Sequence, residues 1–404
     1  MEYRYQYRIL GGGLAGGHGI EGIRQQDKEG MIGLISSETR PPYMRPDLSK
    51  HLLWGKKTVE QTPIFPENYY SQQKAVLHLK TKAVRIDTEK SLVLDEAGNR
   101  YAYTKLLIAT GGRPRQIPNA GGAVHYYRTI EDYLELNQAL SKIEDFLIVG
   151  GGFIGAELAA GIRHHNKKVS MLLKGDKILS NVFPADLSAF VTDYYRQKGI
   201  TLLTGEEASG FTSKGGRVTV ETKSGKSYEA GWVTAGIGLE LESQLAASAG
   251  LKFSNGVEVD EYLETSKKGI FAAGDSANFP SRVLVERQRV EHRDNSEAQG
   301  RTAGANMAGA RKPYDYLPFF YSDLFDLGFE AVGKLDSRMQ TQAAWDDPFR
   351  KGIVAYLEGG KVKGMLLWNK WDRVDWARKI ISSGTTVESP AQLEKLLREE
   401  PIPA

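Results

Sequence analysis

The chain of 404 residues contains no cysteine. Structural disulfides, thiolate metal sites, a cysteine nucleophile and a C-x-x-C redox pair are therefore all excluded. Histidine is scarce, at seven residues, and only His164-His165 are adjacent. With no carboxylate at metal-ligand spacing, they read as the polar end of a helix rather than a zinc site. No run approaches ~18 uninterrupted apolar residues, so no membrane-spanning helix is expected. The first strand begins within a few residues of Met1, which leaves no room for a targeting peptide, and a cytoplasmic location is expected. Excess charge is also lacking: 53 Lys plus Arg face 50 Asp plus Glu, a net +3. No clustered basic footprint points to a nucleic-acid or membrane partner. The length is too great for one compact core and implies two or three domains.

What is present is glycine in a particular arrangement. Tyr3, Tyr5, Tyr7 and Ile9 alternate with polar residues, as in a strand, and the run opens into Gly11-Gly-Gly-Leu-Ala-Gly16. Gly11, Gly13 and Gly16 fit G-x-G-x-x-G, and Ala15 to about Gln26 can follow as a helix. In that strand–turn–helix reading the first glycine makes the tight turn. The second lets a pyrophosphate approach the backbone, and the third lets helix and strand pack closely. The phosphates would sit on the N–H groups of the helix start. A second strand, Met31–Ser36, leads to Glu38, where an acid can grip a ribose hydroxyl.

Arg40-Pro-Pro-Tyr-Met-Arg-Pro-Asp-Leu-Ser-Lys50 carries three prolines, so it reads as a shaped loop, with a helix open from Asp47. Short strands are expected at 75–79, 83–87, 91–94 and 105–109, the last ending in Thr110-Gly-Gly-Arg-Pro114. Residues 113–118 read as a linker and 129–142 as a helix. Then Phe146-Leu-Ile-Val-Gly-Gly-Gly-Phe-Ile-Gly155 repeats the signature through Gly150, Gly152 and Gly155, followed by a helix to about His165 and a strand at 168–173. The pair of units implies two dinucleotides. The second unit lacks an acid at the strand's end, where Leu173 and Lys174 stand, with Asp176 just beyond. An acid favours an unphosphorylated ribose and a base a 2′-phosphate, so Lys174 and Asp176 point in opposite directions. The balance leans to NADH, and NADPH stays open.

Further strands are expected at 199–204, 217–222 and 231–235. Gly269-Ile-Phe-Ala-Ala-Gly-Asp275 is a short apolar strand closed by Gly274 and Asp275. From Val290, small residues at close spacing suit a helix pressed against a cofactor. Past Pro313 the chain turns aromatic, forms a hairpin at 353–368 and a helix at about 370–382, and ends in a charged, proline-tipped tail.

Taken in order, Gly11–Gly16, Ala109–Pro114, Gly150–Gly155 and Ala273–Asp275 resemble the FAD/NAD-linked reductase superfamily. Pro42–Lys50, Val290-Glu-His292 with Gly300-Arg, Tyr321-Ser-Asp323, Gly328–Gly333, Leu367-Trp-Asn369 and Ala377–Ile381 resemble its apoptosis-inducing-factor branch. The likeness covers nearly the whole chain. It implies an α/β fold of two Rossmann-like domains plus a C-terminal α+β domain. The expected division is 1–117 and 238–314 for a discontinuous FAD domain, 118–237 for an inserted NAD(P) domain, and 315–404 for the last. Two departures stand out: the long C-terminal insertion of the animal proteins is absent, and Tyr321 stands where that branch has a tryptophan.

The resemblance implies roles residue by residue. Lys50 is placed beside flavin N5 with Glu157 as its partner; Glu157 lies one helical turn after Phe153, on the same face. Phe153 covers the flavin until nicotinamide displaces it, and Tyr321 stacks on one of the two rings. Glu291 and His292 open a helix whose N–H groups face the flavin's N1–C2 region. Arg45 reaches the FAD pyrophosphate or ribityl region, and Asp275 the ribityl chain. Leu14, Ala15, Val84, Ala109, Thr110, Gly111, Arg113, Ile154 and Gly236 are counted among the cofactor-binding residues. Hydride passes from NAD(P)H to N5, and electrons then leave to an external acceptor: quinone, dioxygen or a small iron protein. The alternatives are a dedicated ferredoxin or rubredoxin reductase, or a slow flavoprotein that regulates partner binding. A homodimer is left open.

Overall fold

A computed structural model describes residues 1–399; the tail prolines Pro401 and Pro403 lie outside the described residues. The chain forms two compact units, each from three segments: Met1–Arg45, Glu60–Arg113 and Glu240–Pro318 in one, and Pro46–Val59, Pro114–Leu239 and the chain from Phe319 in the other. The units meet in the sequence near 113, 239 and 318. Residues 46–59 and the region from Phe319 both belong to the second unit.

The first unit is built on a sheet ordered Ala75–His78, Ile32–Ile35, Glu2–Leu10, Arg100–Ile108, Leu92–Asp95, Ala83–Asp87. The first four strands are parallel, and the last two turn back antiparallel. Ile270–Ala272 pairs with the other end of Arg100–Ile108, at Leu106 to Ile108, so two distant segments share one strand edge. Glu2–Leu10 alternates at its start and is buried throughout from Tyr7, as a strand does on entering the middle of a covered parallel sheet. Leu92 rather than Ser91 opens its strand, because Ser91 takes a left-handed turn at φ 52°. Helix Leu14–Gln26 lies against helix Arg293–Met307 at glycine contacts. A Cβ on Gly22 would stand 2.1 Å from Arg301 O, and one on Gly304 2.2 Å from Gly19 O. Gly304, among the small residues after Val290, serves this helix crossing. The proline loop closes into a 3₁₀ turn at Arg45–Leu48, which begins two residues before Asp47, where a helix was left open.

The second unit carries a five-stranded parallel sheet: Ile200–Thr204, Lys168–Leu173, Asp145–Val149, Trp232–Ala235, His125–Tyr126. Helices Phe153–His164 and Ala185–Gln197 belong to it. A three-stranded antiparallel sheet (Ala208–Lys214, Arg217–Thr222, Ser227–Ala230) contributes Val218, Val220 and Ala230 to a core with Leu147, Val149 and Leu172. From Phe319 a five-stranded antiparallel sheet runs Phe319–Leu324, Leu327–Gly333, Lys361–Trp368, Lys351–Glu358, Gln340–Asp347, with helices Val374–Ser382 and Pro390–Glu399 against it. Helix Val374–Ser382 starts later than sequence indicated, after Asn369 and Asp372 adopt positive φ. No helix among the described residues is long and apolar enough to cross a membrane, and no group of three or more metal-ligating side chains occurs among them.

Candidate functional site

Each unit contains one of the glycine turns, and the two are built alike. Gly11 and Gly150 have φ of 116° and 115°. A Cβ there would stand 2.1 Å from Ala109 O and 2.4 Å from Gly236 O, so both positions require glycine. Gly16 and Gly155 close the helices onto the turns, a Cβ falling 2.0 Å from Gly11 O and 2.2 Å from Gly150 O. Gly13 and Gly152 are the opposite case. Both are N-caps in extended conformation with no side-chain cap, and a Cβ on either meets nothing within 4 Å. The first N–H groups of each helix are thus free of side-chain caps beside open space, the arrangement that takes a phosphate. Leu14 and Ala15 are buried behind the first turn; Ile154 is exposed beside the second.

In the first unit, Glu38 follows the strand Ile32–Ile35 and is held on both carboxylate oxygens. Tyr43 OH donates to Oε2 at 2.5 Å and Arg45 Nη2 to Oε1 at 2.6 Å. Burial would lower the Arg45 pKa, but Tyr43 and Glu38 outweigh it and raise it. Asp275 also contributes to holding Arg45 charged. The turns at Ala109–Gly111 and Ala273–Asp275 leave the sheet together, Ala273 N–H donating to Ile108 O at 3.0 Å. Gly111 and Gly274 take positive φ, 61° and 73°. Arg289 Nη1 bonds both Asp275 O (3.2 Å) and Glu291 Oε1 (2.6 Å), which brings these two predicted residues together. His292 stands at the N-cap position of helix Arg293–Met307 without a side-chain capping bond; burial pushes its imidazole down to about 4, with Asp275 pulling the other way. Val84 is exposed on the outer strand Ala83–Asp87, and Arg113 pairs with Glu240 at 3.3 Å near the unit's border. Arg282, Arg287 and Arg293, close together in the sequence, have partners in the same unit: Arg282 meets Asp315, Arg287 donates to Val259 O and Asn278 O, and Arg293 meets Glu297.

The second unit holds the other group. Lys50 Nζ donates to Glu157 Oε1 at 2.7 Å, with both side chains buried. Ser49 Oγ donates to Oε2 at 2.5 Å and Ser322 Oγ to Oε1 at 2.6 Å. Burial opposes the charge on Lys50, but Glu157 wins and raises its pKa. Lys50 Nζ also lies 5.3 Å from the centre of the Tyr321 ring. Asp323, next to this network, is pushed up by burial, with Lys50 counteracting. Phe153 is half-buried, its ring edge-on to Phe320 at 5.3 Å. At the end of strand Lys168–Leu173, Lys174 pairs with Glu207 at 3.1 Å and Asp176 is exposed, while Gly236 backs the glycine turn.

Sequence reasoning missed Ser49 and Ser322, and it missed what anchors residues 46–59. Tyr127 OH donates to Leu48 O at 2.7 Å and His165 Nε2 to Leu53 O at 2.7 Å, while His164 stacks on Trp54. A Cβ on Gly161 would strike Leu53 Cδ2 at 2.3 Å, so that glycine admits the arm. Glu330, in register with Tyr321, was also overlooked. Its Oε2 is buried with no partner, and burial raises its pKa.

Comparison with known proteins follows the same outline. Residues 5–300 match the family described as pyridine nucleotide-disulphide oxidoreductase. Residues 303–348 and 342–383 match the C-terminal family of mitochondrion-associated apoptosis-inducing factor. The chain is 33% identical to apoptosis-inducing factor 1, mitochondrial, of Dictyostelium discoideum, over 97% of this chain and 81% of that protein. It is 31% identical to monodehydroascorbate reductase 3 of Arabidopsis thaliana, covering 91% and 90%. The crystal structure of the covalent putidaredoxin reductase–putidaredoxin complex superposes with a TM-score of 0.90 at 31% identity, covering 97% of this chain and 98% of that one.

Proposed function

The chain belongs to the pyridine nucleotide-disulphide oxidoreductase family, and we propose that it is an FAD-dependent NAD(P)H oxidoreductase whose external electron acceptor is a small iron protein. The observation that carries the two nucleotides is the pair of matching uncapped glycine turns, one in each unit, and the likeness to the putidaredoxin reductase–putidaredoxin complex supports the acceptor. The missing cysteine completes it: no thiol inside the chain can relay electrons, so they leave for a separate molecule.

In this reading the first unit holds FAD. Gly11, Gly13 and Gly16 take the pyrophosphate at the start of helix Leu14–Gln26, Glu38 a ribose hydroxyl, and Arg45 with Asp275 the linking chain. His292, neutral near pH 7, sits at a helix start whose N–H groups suit an electron-rich ring edge. The second unit holds the nicotinamide nucleotide on Gly150, Gly152 and Gly155, with Phe153 and Tyr321 as aromatic faces. Bound FAD supplies the two-electron acceptor for hydride at N5. Lys50 provides a standing positive charge, because Glu157 beside it raises its pKa. The chain would work in the cytoplasm, where NADH and small iron proteins meet.

A small-molecule acceptor is the second reading, favoured by the likeness to monodehydroascorbate reductase. Stopped-flow mixing decides between them. NADH should bleach the bound flavin, and an added ferredoxin or rubredoxin should reoxidise it much faster than quinone or dioxygen. Reoxidation by small molecules alone would favour the second reading, and flavin that no reduced nucleotide bleaches would end both.

A further inference from the structure

Strand Lys168–Leu173 ends where a dinucleotide fold meets the adenosine ribose, with an acid for a free 2′-hydroxyl or a base for a 2′-phosphate. Leu173 is buried and apolar, so the first polar side chain there is Lys174, 78% exposed. The neighbouring strand Ile200–Thr204 runs parallel to it, Leu173 opposite Thr204. Its exit is tied back to the same corner: Glu206 N–H donates to Leu173 O at 2.9 Å and Gly205 N–H to Gly175 O at 3.2 Å. Two glutamates are thereby brought beside the strand end. Glu207 takes Lys174 Nζ on Oε2 at 3.1 Å and Lys223 Nζ on Oε1 at 2.7 Å. Glu206 is buried and takes Lys226 Nζ at 2.6 Å and Ser224 Oγ at 2.6 Å. Lys174, Lys223 and Lys226 are thus each engaged by Glu206 or Glu207, and Lys177, beside the exposed Asp176, donates to Ala185 O at 3.3 Å. A 2′-phosphate brings about −1.5 to −2 charges and needs cations that are not already engaged.

We propose that Glu207 selects NADH over NADPH by engaging Lys174 and Lys223 and by setting its own charge against a 2′-phosphate. Glu207 lies outside the glycine fingerprint and outside the strand that follows it. The inference rests on the nucleotide-site reading above, and two readouts keep the two apart. ADP and 2′,5′-ADP are titrated calorimetrically into the FAD-loaded protein, and kcat/KM is measured for NADH and NADPH. The wild type should bind ADP more tightly than 2′,5′-ADP and use NADH in preference. Glu207→Gln should tighten 2′,5′-ADP by about three- to tenfold, the scale of one or two released surface lysines, and leave ADP unchanged. Adding Lys174→Ala to Glu207→Gln should cancel most of that gain. A wild type that prefers the 2′-phosphorylated ligands, or a Glu207→Gln variant with an unmoved ratio, overturns the proposal. Failure of both ADP and 2′,5′-ADP to bind, with no bleaching of flavin by either nucleotide, overturns the site itself.

Discussion

Glu157 shows how much one side chain depends on segments far from it. Its carboxylate is satisfied by Ser49 and Lys50, 108 and 107 positions earlier, and by Ser322, 165 positions later. A buried ion pair contributes little net stability when intact, yet removing one partner strands the other charge in a low-dielectric site. Glu157→Gln should therefore cost about 3–5 kcal/mol, whereas Ser322→Ala should cost about 1–2 kcal/mol, the scale of one lost hydrogen bond to a charged group. Replacing both ends at once, as Lys50→Met with Glu157→Leu, should recover most of the loss. Guanidinium unfolding curves at neutral pH check all three; equal losses for the single and double variants would contradict the argument. Lys50 and its pairing with Glu157 were legible through the family resemblance, and the spacing after Phe153 gave only the helix face on which Glu157 stands. The serines were not, because no local pattern marks a hydroxyl that will face a carboxylate folded in from elsewhere.

Among the elements, the glycine turns separate folding from binding. Gly150 is required by its own backbone: at φ 115° a Cβ would press on Gly236 O at 2.4 Å. Gly152 has ordinary extended torsions and no neighbour within 4 Å of a Cβ. Gly150→Ala should therefore lower stability by about 2 kcal/mol or more. Gly152→Ala should leave the melting temperature within a degree or two, yet weaken NADH binding at least about tenfold, a loss of about 1.4 kcal/mol. Thermal melts with fluorescence titration of NADH separate the two effects, and unimpaired NADH binding by Gly152→Ala would argue against a phosphate at that turn. Strand, turn and helix were readable here because the period changes from two to three-point-six residues at the glycines. The arm at 46–59 was not: its prolines announce a loop, but only Gly161, Tyr127 and His165 determine what that loop packs against.

For the whole molecule, neither unit is a continuous stretch of chain. A chain ending at Pro318 would lose Tyr321, Ser322 and the sheet that buries Phe329 and Trp368. Such a truncation should abolish NADH binding and leave a protein without a cooperative thermal transition in its second unit. Calorimetry and nucleotide titration test this; a soluble fragment that melts cooperatively and binds NADH like the full chain would show that the C-terminal sheet is dispensable. The C-terminal hairpin and the helix after it were visible as patterns, but their membership in the second unit was not, because alternation reports which face is buried and never against what.

From the linear chain alone came the two glycine turns, the parallel-sheet units around them and the absence of any thiol relay. These are local matters of torsion, period and residue type, decided over a dozen neighbours. Folding decided the rest: which unit receives residues 46–59, which hydroxyls hold Glu157, and which glutamate engages Lys174. Those are choices among chemically equivalent partners, and only chain closure over a hundred or more residues determines which of them come within bonding distance.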